Sequence, residues 1–152
     1  MERPNAWLTY SDADMQDLET VAKKYRHFLN VGKTERECIT QIVKEAEEAG
    51  YVSLEEKVKN GEALKAGDKV YQVGMQKIIA LYHIGEEDLA QGMNILCAHI
   101  DSPRLDIKQN PLYEDTDLAY LDTHYYGGVK KYQWVALPMA MHGVIVKKDG
   151  TV

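Results

Sequence analysis

The chain has 152 residues, of which 45% are hydrophobic and 28% are charged, and its formal net charge is −6. This length can supply one hydrophobic core, and this composition is typical of a globular protein. Because the net charge is acidic and the Lys and Arg residues are scattered, we expect no nucleic-acid partner. The N-terminal stretch lacks a signal-peptide pattern, and no apolar run could span a bilayer, so we expect no membrane partner.

Three helices are predicted in the first sixty residues. Capping signals at Ser11 and Thr34 each precede a stripe of apolar residues at helical spacing, and Gly32 and Gly50 follow the two stripes. A third, shorter helix is predicted over residues 53–61. The N-terminal part of the chain should therefore be helical.

The remainder of the chain has the composition of β-strands. A continuous apolar run over residues 93–98 is typical of an interior strand that is covered on both faces. Further strands are predicted from β-forming residues and from alternation, over residues 70–73, 78–82, 105–107, 118–126 and 140–146. We expect an α/β fold in which helices pack on a mixed central sheet, with strand 93–99 at its centre.

The two cysteines, Cys38 and Cys97, are isolated in a helical and a strand pattern respectively. Such residues are more typical of reduced, buried thiols than of a disulfide framework, which favours a cytoplasmic protein.

His99 and Asp101 follow the apolar run directly. In an extended segment, residues two apart point to the same side, so the imidazole and the carboxylate can lie next to each other. A metal-binding histidine usually has its second ring nitrogen held by a carboxylate or a carbonyl. The spacing alone is equally compatible with a histidine that has only a structural role.

A longer string distinguishes these interpretations. The residues Ala98-His99-Ile100-Asp101-Ser102-Pro103 resemble the A-H-x-D-S-P motif of the aspartyl aminopeptidase family of dinuclear zinc exopeptidases. A second block resembles that family at the right distance, and consists of Tyr126-Gly127-Gly128, Trp134, Leu137 and Gly143-Val144-Ile145-Val146. The resemblance covers most of the chain, although only the first string is highly specific.

The resemblance implies a role for each residue of the motif. His99 would be the first zinc ligand, and Asp101 would be the catalytic-site carboxylate that orients its ring. Residues 1–102 would belong to the catalytic zinc-peptidase domain, and residues 103–152 would begin a β-rich inserted dimerisation domain. The family further implies two zinc ions, peptide substrates and a homo-oligomer, which is a dodecamer in the intact protein.

The chain also departs from the family pattern. Val135-Ala136-Leu137-Pro138 stands where many members have an acidic–basic pair, as in a divergent bacterial branch, so a preference for N-terminal Asp or Glu is not implied. The family's other ligands and its general-base Glu lie beyond Val152. The sequence stops after an Asp149-Gly150 turn signal, and we expect an N-terminal piece of a longer protein.

Two functions are therefore considered. The first is a zinc-dependent aminopeptidase, a hydrolase, of which the 152-residue piece would be inactive alone. The second is a non-catalytic, self-associating interaction module in which His99 and Asp101 are structural. The other candidate groups are expected to be solvated, structural or interface residues; these are His83, Glu86-Glu87-Asp88, Asp122, His124 and His142.

Overall fold

The structure is a computed structural model that describes residues 3–152. It divides into two compact units, the first ending at Ile95 and the second spanning Leu96–Val152. Among the described residues, no helix combines the length and the apolar character needed to cross a bilayer.

The first unit contains the three predicted helices, α1 (Asp12–Val31), α2 (Glu35–Glu48) and α3 (Leu54–Lys59). Helices α1 and α2 both start with a reciprocal capping box, as the sequence predicts. In α2, the Thr34 hydroxyl accepts a hydrogen bond from the Glu37 backbone N–H at 3.3 Å, and the Thr34 N–H donates to Glu37 Oε2 at 3.0 Å. These bonds satisfy backbone donors that have no partner within the helix, and they fix where it begins.

A mixed three-stranded sheet completes the first unit. Its strands are β1 (Val52–Ser53), β2 (Lys69–Gly74) and β3 (Ile78–His83), in that spatial order. Strand β1 pairs with β2 in parallel, and β2 pairs with β3 in an antiparallel hairpin. The strands are joined by residues 75–77, where the Lys77 N–H donates to the Gly74 carbonyl oxygen at 3.0 Å. Met75 and Gln76 lie within this turn and have φ values of 51° and 56°, in the left-handed region. Strand β1 was not predicted because two residues are too few to show a period.

The core of the first unit lies between α2 and the sheet. The residues with the least exposure are apolar and come from these elements, namely Cys38, Ile39 and Ala46 of α2 and Val70 of β2. A hydrogen bond also links α2 to the sheet, since the Tyr71 hydroxyl of β2 donates to Glu47 Oε1 of α2 at 2.7 Å. The predicted α/β fold, with helices packed on a mixed sheet, is confirmed.

The second unit contains a two-stranded antiparallel ribbon made of β4 (Arg104–Asp115) and β5 (Leu118–Tyr126). Its pairing is regular at both ends but shifts between Ile107 and Leu112. There, the four residues 108–111 of β4 lie opposite a single residue of β5, Asp122. This irregularity contains Pro111, which has no N–H to donate to a ladder and is therefore tolerated at a bulge.

Three predictions from the sequence are wrong. Residues 93–98 and 140–146 are not strands, and Leu96 is 98% exposed. A strand requires a neighbour for its backbone groups, and within residues 3–152 neither segment pairs with one. Cys97 was predicted to be buried but is exposed because its segment lies outside both sheets, whereas Cys38 is buried as expected; neither cysteine forms a disulfide.

Candidate metal centre

His99 and Asp101 lie together in the segment that leads into β4, within the second unit. His99 Nδ1 is 3.0 Å from the Asp101 backbone oxygen and 3.2 Å from Asp101 Oδ1. Because a carbonyl and an ionised carboxylate can only accept hydrogen bonds, Nδ1 must be the donor. The neutral ring therefore has its lone pair on Nε2, and the His99 side chain is 84% exposed, so this nitrogen is open to a ligand.

The Asp101 carboxylate is held at both of its oxygens. While Oδ1 contacts His99, Oδ2 accepts a hydrogen bond of 2.8 Å from the Tyr126 hydroxyl. The Tyr126 bond is the main cause that holds the pKa of the Asp101 carboxyl below its ordinary value, and a backbone bond and the His99 contact act in the same direction. Asp101 therefore stays ionised at neutral pH and can accept the Nδ1 proton of His99.

The ribbon brings Tyr126 to Asp101. Tyr126 is the last residue of β5 and pairs with Arg104, the first residue of β4, which follows Asp101 by three positions. The guanidinium of Arg104 lies over the Tyr126 ring, 4.2 Å from its centroid. Gly127 then turns the chain with φ +76°, and a Cβ there would lie 3.4 Å from the Pro103 Cα. The turn and the first ladder pair together hold the end of β5 against residues 101–104.

These residues fit one position of a zinc site. An imidazole whose Nδ1 donates to a carboxylate, leaving Nε2 to ligate, is the usual arrangement of a zinc-bound histidine. Zinc takes at least three protein ligands, however, and residues 3–152 contain no cluster of three His, Cys, Asp or Glu side chains that could hold a metal. The described part of the chain can therefore supply a single ligand and the carboxylate that orients it.

Three of the other candidate groups have structural contacts. Asp122 accepts a 2.9 Å hydrogen bond from Lys108 across the ribbon, and His124 stacks on Tyr125 with 5.4 Å between ring centroids. In the acidic loop, Asp88 accepts a hydrogen bond of 2.8 Å from the Ala90 backbone N–H. These contacts agree with the expectation that Asp88, Asp122 and His124 are structural.

The contact of Tyr126 with Asp101 was not predicted from the sequence. Tyr126 belongs to the Tyr126-Gly127-Gly128 block that resembles the family, but it lies 25 positions after Asp101. Only the register of the ribbon brings them together, and no local spacing in the sequence indicates that register.

The chain matches a known protein family over most of its length. Residues 28–152 match the family described as "Aminopeptidase I zinc metalloprotease (M18)". The chain belongs to the M18 family. The resemblance to zinc aminopeptidases that the A-H-x-D-S-P string indicates is thereby confirmed, and the matched residues include both His99 and Asp101.

Nearly the whole chain is similar to part of several curated M18 proteins and solved M18 structures. Proteins named "Probable M18 family aminopeptidase 1" are 56% identical in Clostridium acetobutylicum and 43% identical in Thermotoga maritima, each over 99% of this chain and 32% of the relative. A crystal structure of aminopeptidase I from Borrelia burgdorferi has a TM-score of 0.88 at 35% identity, and covers 97% of this chain and 35% of that one. The structure from Clostridium acetobutylicum has a TM-score of 0.81 at 56% identity, over 99% of this chain and 33% of that one. The chain thus spans about a third of the length of these M18 relatives.

Proposed function

We propose that the chain contributes one zinc ligand and its orienting carboxylate to a two-zinc aminopeptidase that removes N-terminal residues from peptides. The observation that carries this proposal is the geometry of His99. Its Nδ1 is hydrogen-bonded to Asp101, which leaves Nε2 exposed, and the chain belongs to a zinc metalloprotease family. His99 would be the metal ligand and Asp101 the catalytic-site carboxylate.

Each residue has a defined part in the proposed site. Bound zinc would act as a Lewis acid toward the scissile carbonyl of a peptide. His99 would donate the Nε2 lone pair, and the neutral Nδ1–H tautomer makes that pair available without loss of a proton. Asp101 holds the ring at a fixed angle, and its negative charge makes the imidazole a stronger electron donor.

The proposal requires further ligands and a general base from protein outside residues 3–152. It follows that the 152-residue chain alone would bind zinc weakly and would not hydrolyse peptides, because one ligand cannot complete a zinc site. We propose that the whole protein is a cytoplasmic homo-oligomer, a dodecamer as the family resemblance implies, and that residues 103–152 begin its dimerisation domain. The exposed thiol of Cys97 would stay reduced in that compartment.

The first experiment compares zinc binding by calorimetry and peptide hydrolysis for the wild type and His99→Ala, in the complete gene product and in the 152-residue chain. In the complete protein, His99→Ala should abolish hydrolysis and remove one tightly bound zinc. His124→Ala is the matched control, since His124 stacks on Tyr125 and should leave both readouts unchanged. Full activity of the His99→Ala variant would refute the proposal. Tight zinc binding by the 152-residue chain that depends on His99 would contradict the requirement for outside ligands.

A self-associating module is the second candidate, and the exposure of apolar side chains favours it. In the second unit Leu96 is 98% exposed and Ile145 is 82% exposed, which is costly for large aliphatic groups unless a partner covers them. Sedimentation equilibrium of the 152-residue chain separates the candidates. A stable oligomer in which zinc and His99 have no effect, formed by a gene product without peptidase activity, would favour the module.

A further inference from the structure

The Asp101 carboxylate can orient His99 only if its own rotation is restricted. The final torsion of an aspartate side chain is soft, so a carboxylate that is held at one oxygen can turn away from its partner. In this structure the two oxygens have separate partners, His99 Nδ1 at 3.2 Å from Oδ1 and the Tyr126 hydroxyl at 2.8 Å from Oδ2. The shorter bond is the one from Tyr126, which lies at the end of β5, whereas His99 and Asp101 lie in the segment before β4.

We propose that Tyr126 is a positioning residue for His99, which acts by fixing the Asp101 carboxylate and through it the tautomer and direction of the imidazole. This inference rests on the proposed function, because positioning matters only if His99 Nε2 binds zinc. Tyr126, which the ribbon supplies, would be a further residue that supports this ligand, in addition to Asp101.

The direction of the hydrogen bonds follows from the chemistry of the groups. An ionised carboxylate can only accept, so the Tyr126 hydroxyl donates to Oδ2 and the His99 Nδ1–H donates to Oδ1. A neutral imidazole in water carries its proton mainly on Nε2, and here two acceptors favour the opposite form, the Asp101 backbone oxygen at 3.0 Å and Asp101 Oδ1 at 3.2 Å. Loss of the Tyr126 hydroxyl would free the carboxylate to rotate, so that His99 Nδ1 loses one of these two acceptors and the ring shifts toward its form in water.

Tyr126 is well placed for this role because its own ring is held. The Arg104 guanidinium lies 4.2 Å from the ring centroid, and Arg104 Nε in turn donates to Asp106 Oδ1 at 2.7 Å. A guanidinium over an aromatic face is an attractive contact, and its planar group adds stacking that an ammonium lacks. The ring plane is therefore fixed from the β4 side, and the hydroxyl points at Asp101.

The test measures the tautomer of His99 directly, by ¹H–¹⁵N NMR of the 152-residue chain at a pH where the ring is neutral. The wild type should show the Nδ1–H form in excess, and Tyr126→Phe should shift the population toward Nε2–H. Tyr120→Phe is the matched control, because it removes a hydroxyl from the same strand, at a ring that stacks on Tyr113 at 5.3 Å, and it should change nothing. The amide spectrum of β4 and β5 checks that each variant is folded.

A double variant shows whether Tyr126 acts through Asp101. Once Asp101→Ala is present, adding Tyr126→Phe should have no further effect on the tautomer, whereas independent effects would add. In the complete zinc-binding protein, Tyr126→Phe should weaken zinc affinity by about 10- to 100-fold, as loss of a group that supports a metal ligand typically does.

The inference is overturned if Tyr126→Phe leaves the tautomer unchanged, or if its effect persists in the Asp101→Ala background. These outcomes are distinct from failure of the proposed function. If zinc binds the complete protein without His99, the peptidase-site proposal fails, although the tautomer result can still hold. If His99 binds zinc while Tyr126→Phe has no effect, only the positioning role is lost.

Discussion

The Tyr71 hydroxyl links β2 to α2 through its 2.7 Å hydrogen bond to Glu47. This bond is the main cause that raises the pKa of Tyr71 to about 12 from its ordinary value of 10.0, and burial and the charge of Glu47 contribute in the same direction. The folded state therefore holds the phenol proton more tightly than the unfolded state does. The associated stability is fully present below about pH 10 and is lost as the pH rises toward 12.

We predict that Tyr71→Phe lowers the free energy of unfolding at neutral pH by about 1 kcal/mol, the size of a partly exposed hydrogen bond to a charged group. The difference between the variant and the wild type should shrink as the pH rises above about 10. Urea unfolding at a series of pH values measures this difference. Tyr82→Phe, which removes a hydroxyl from an exposed ring of the neighbouring strand, should show no such trend, and a pH-independent difference for Tyr71→Phe would contradict the assignment.

Individual site residues were predictable only where the signal is local. The two-residue spacing of His99 and Asp101 indicates that their side chains can meet, and the structure has Nδ1 within 3.2 Å of Oδ1. The contact of Asp101 with Tyr126 depends on the ladder pair between Arg104 and Tyr126, which is set by the whole ribbon. Sequence spacing carries no information on such a register until one face of the ribbon is known.

Helix α2 depends on its capping box for a defined start. Because the Thr34 hydroxyl accepts the Glu37 N–H, Thr34→Ala leaves that donor without its partner. We expect a loss of about 1 kcal/mol in the free energy of unfolding, the usual cost of removing such a cap. Thr34→Ser keeps the hydroxyl and should lose much less. Equal destabilisation by both substitutions, measured by chemical denaturation, would mean that the methyl group of Thr34 matters and the cap does not.

Elements were predicted well where capping, periodicity and turn residues agree. All three helices satisfy this condition, because each is specified by residues close in sequence. Strands β2 and β3 were predicted from their β-forming residues, but their antiparallel pairing was not, since Met75 and Gln76 are not typical turn residues. The prediction of a strand at 93–98 was wrong because a continuous apolar run indicates that a segment becomes covered, but does not indicate which element covers it. Within residues 3–152 no strand pairs with this segment, and its large apolar side chains are exposed.

At the scale of the whole molecule, the two units differ in how much they bury. The four residues with 0–5% exposure, among those the structure describes, all belong to the first unit. The ribbon of the second unit has two strands only, and an isolated two-stranded ribbon is marginally stable in water. Local opening should therefore be easier in the ribbon than in the α2–sheet core.

We predict that the backbone amides of β4 and β5 exchange with solvent at least about tenfold faster than those of α2 and β2, since exchange reports the free energy of local opening. Hydrogen–deuterium exchange of the 152-residue chain measures both sets in one experiment. Protection of the ribbon equal to that of α2 would show that the second unit gains stability from self-association, which dilution of the sample would then remove.

The irregularity in the ribbon has a consequence for how the protein can evolve. Residues 108–111 interrupt the ladder between an arm that holds Tyr126 and a distal arm that ends in the turn at Thr116 and Asp117. An insertion or deletion in the distal arm should change the pairing of that arm only. The register of the arm that holds Tyr126 is set separately, because the ladder is interrupted between the two arms. The length and surface of the distal arm are thus free to adapt to a new neighbour, while the imidazole of His99 keeps its direction.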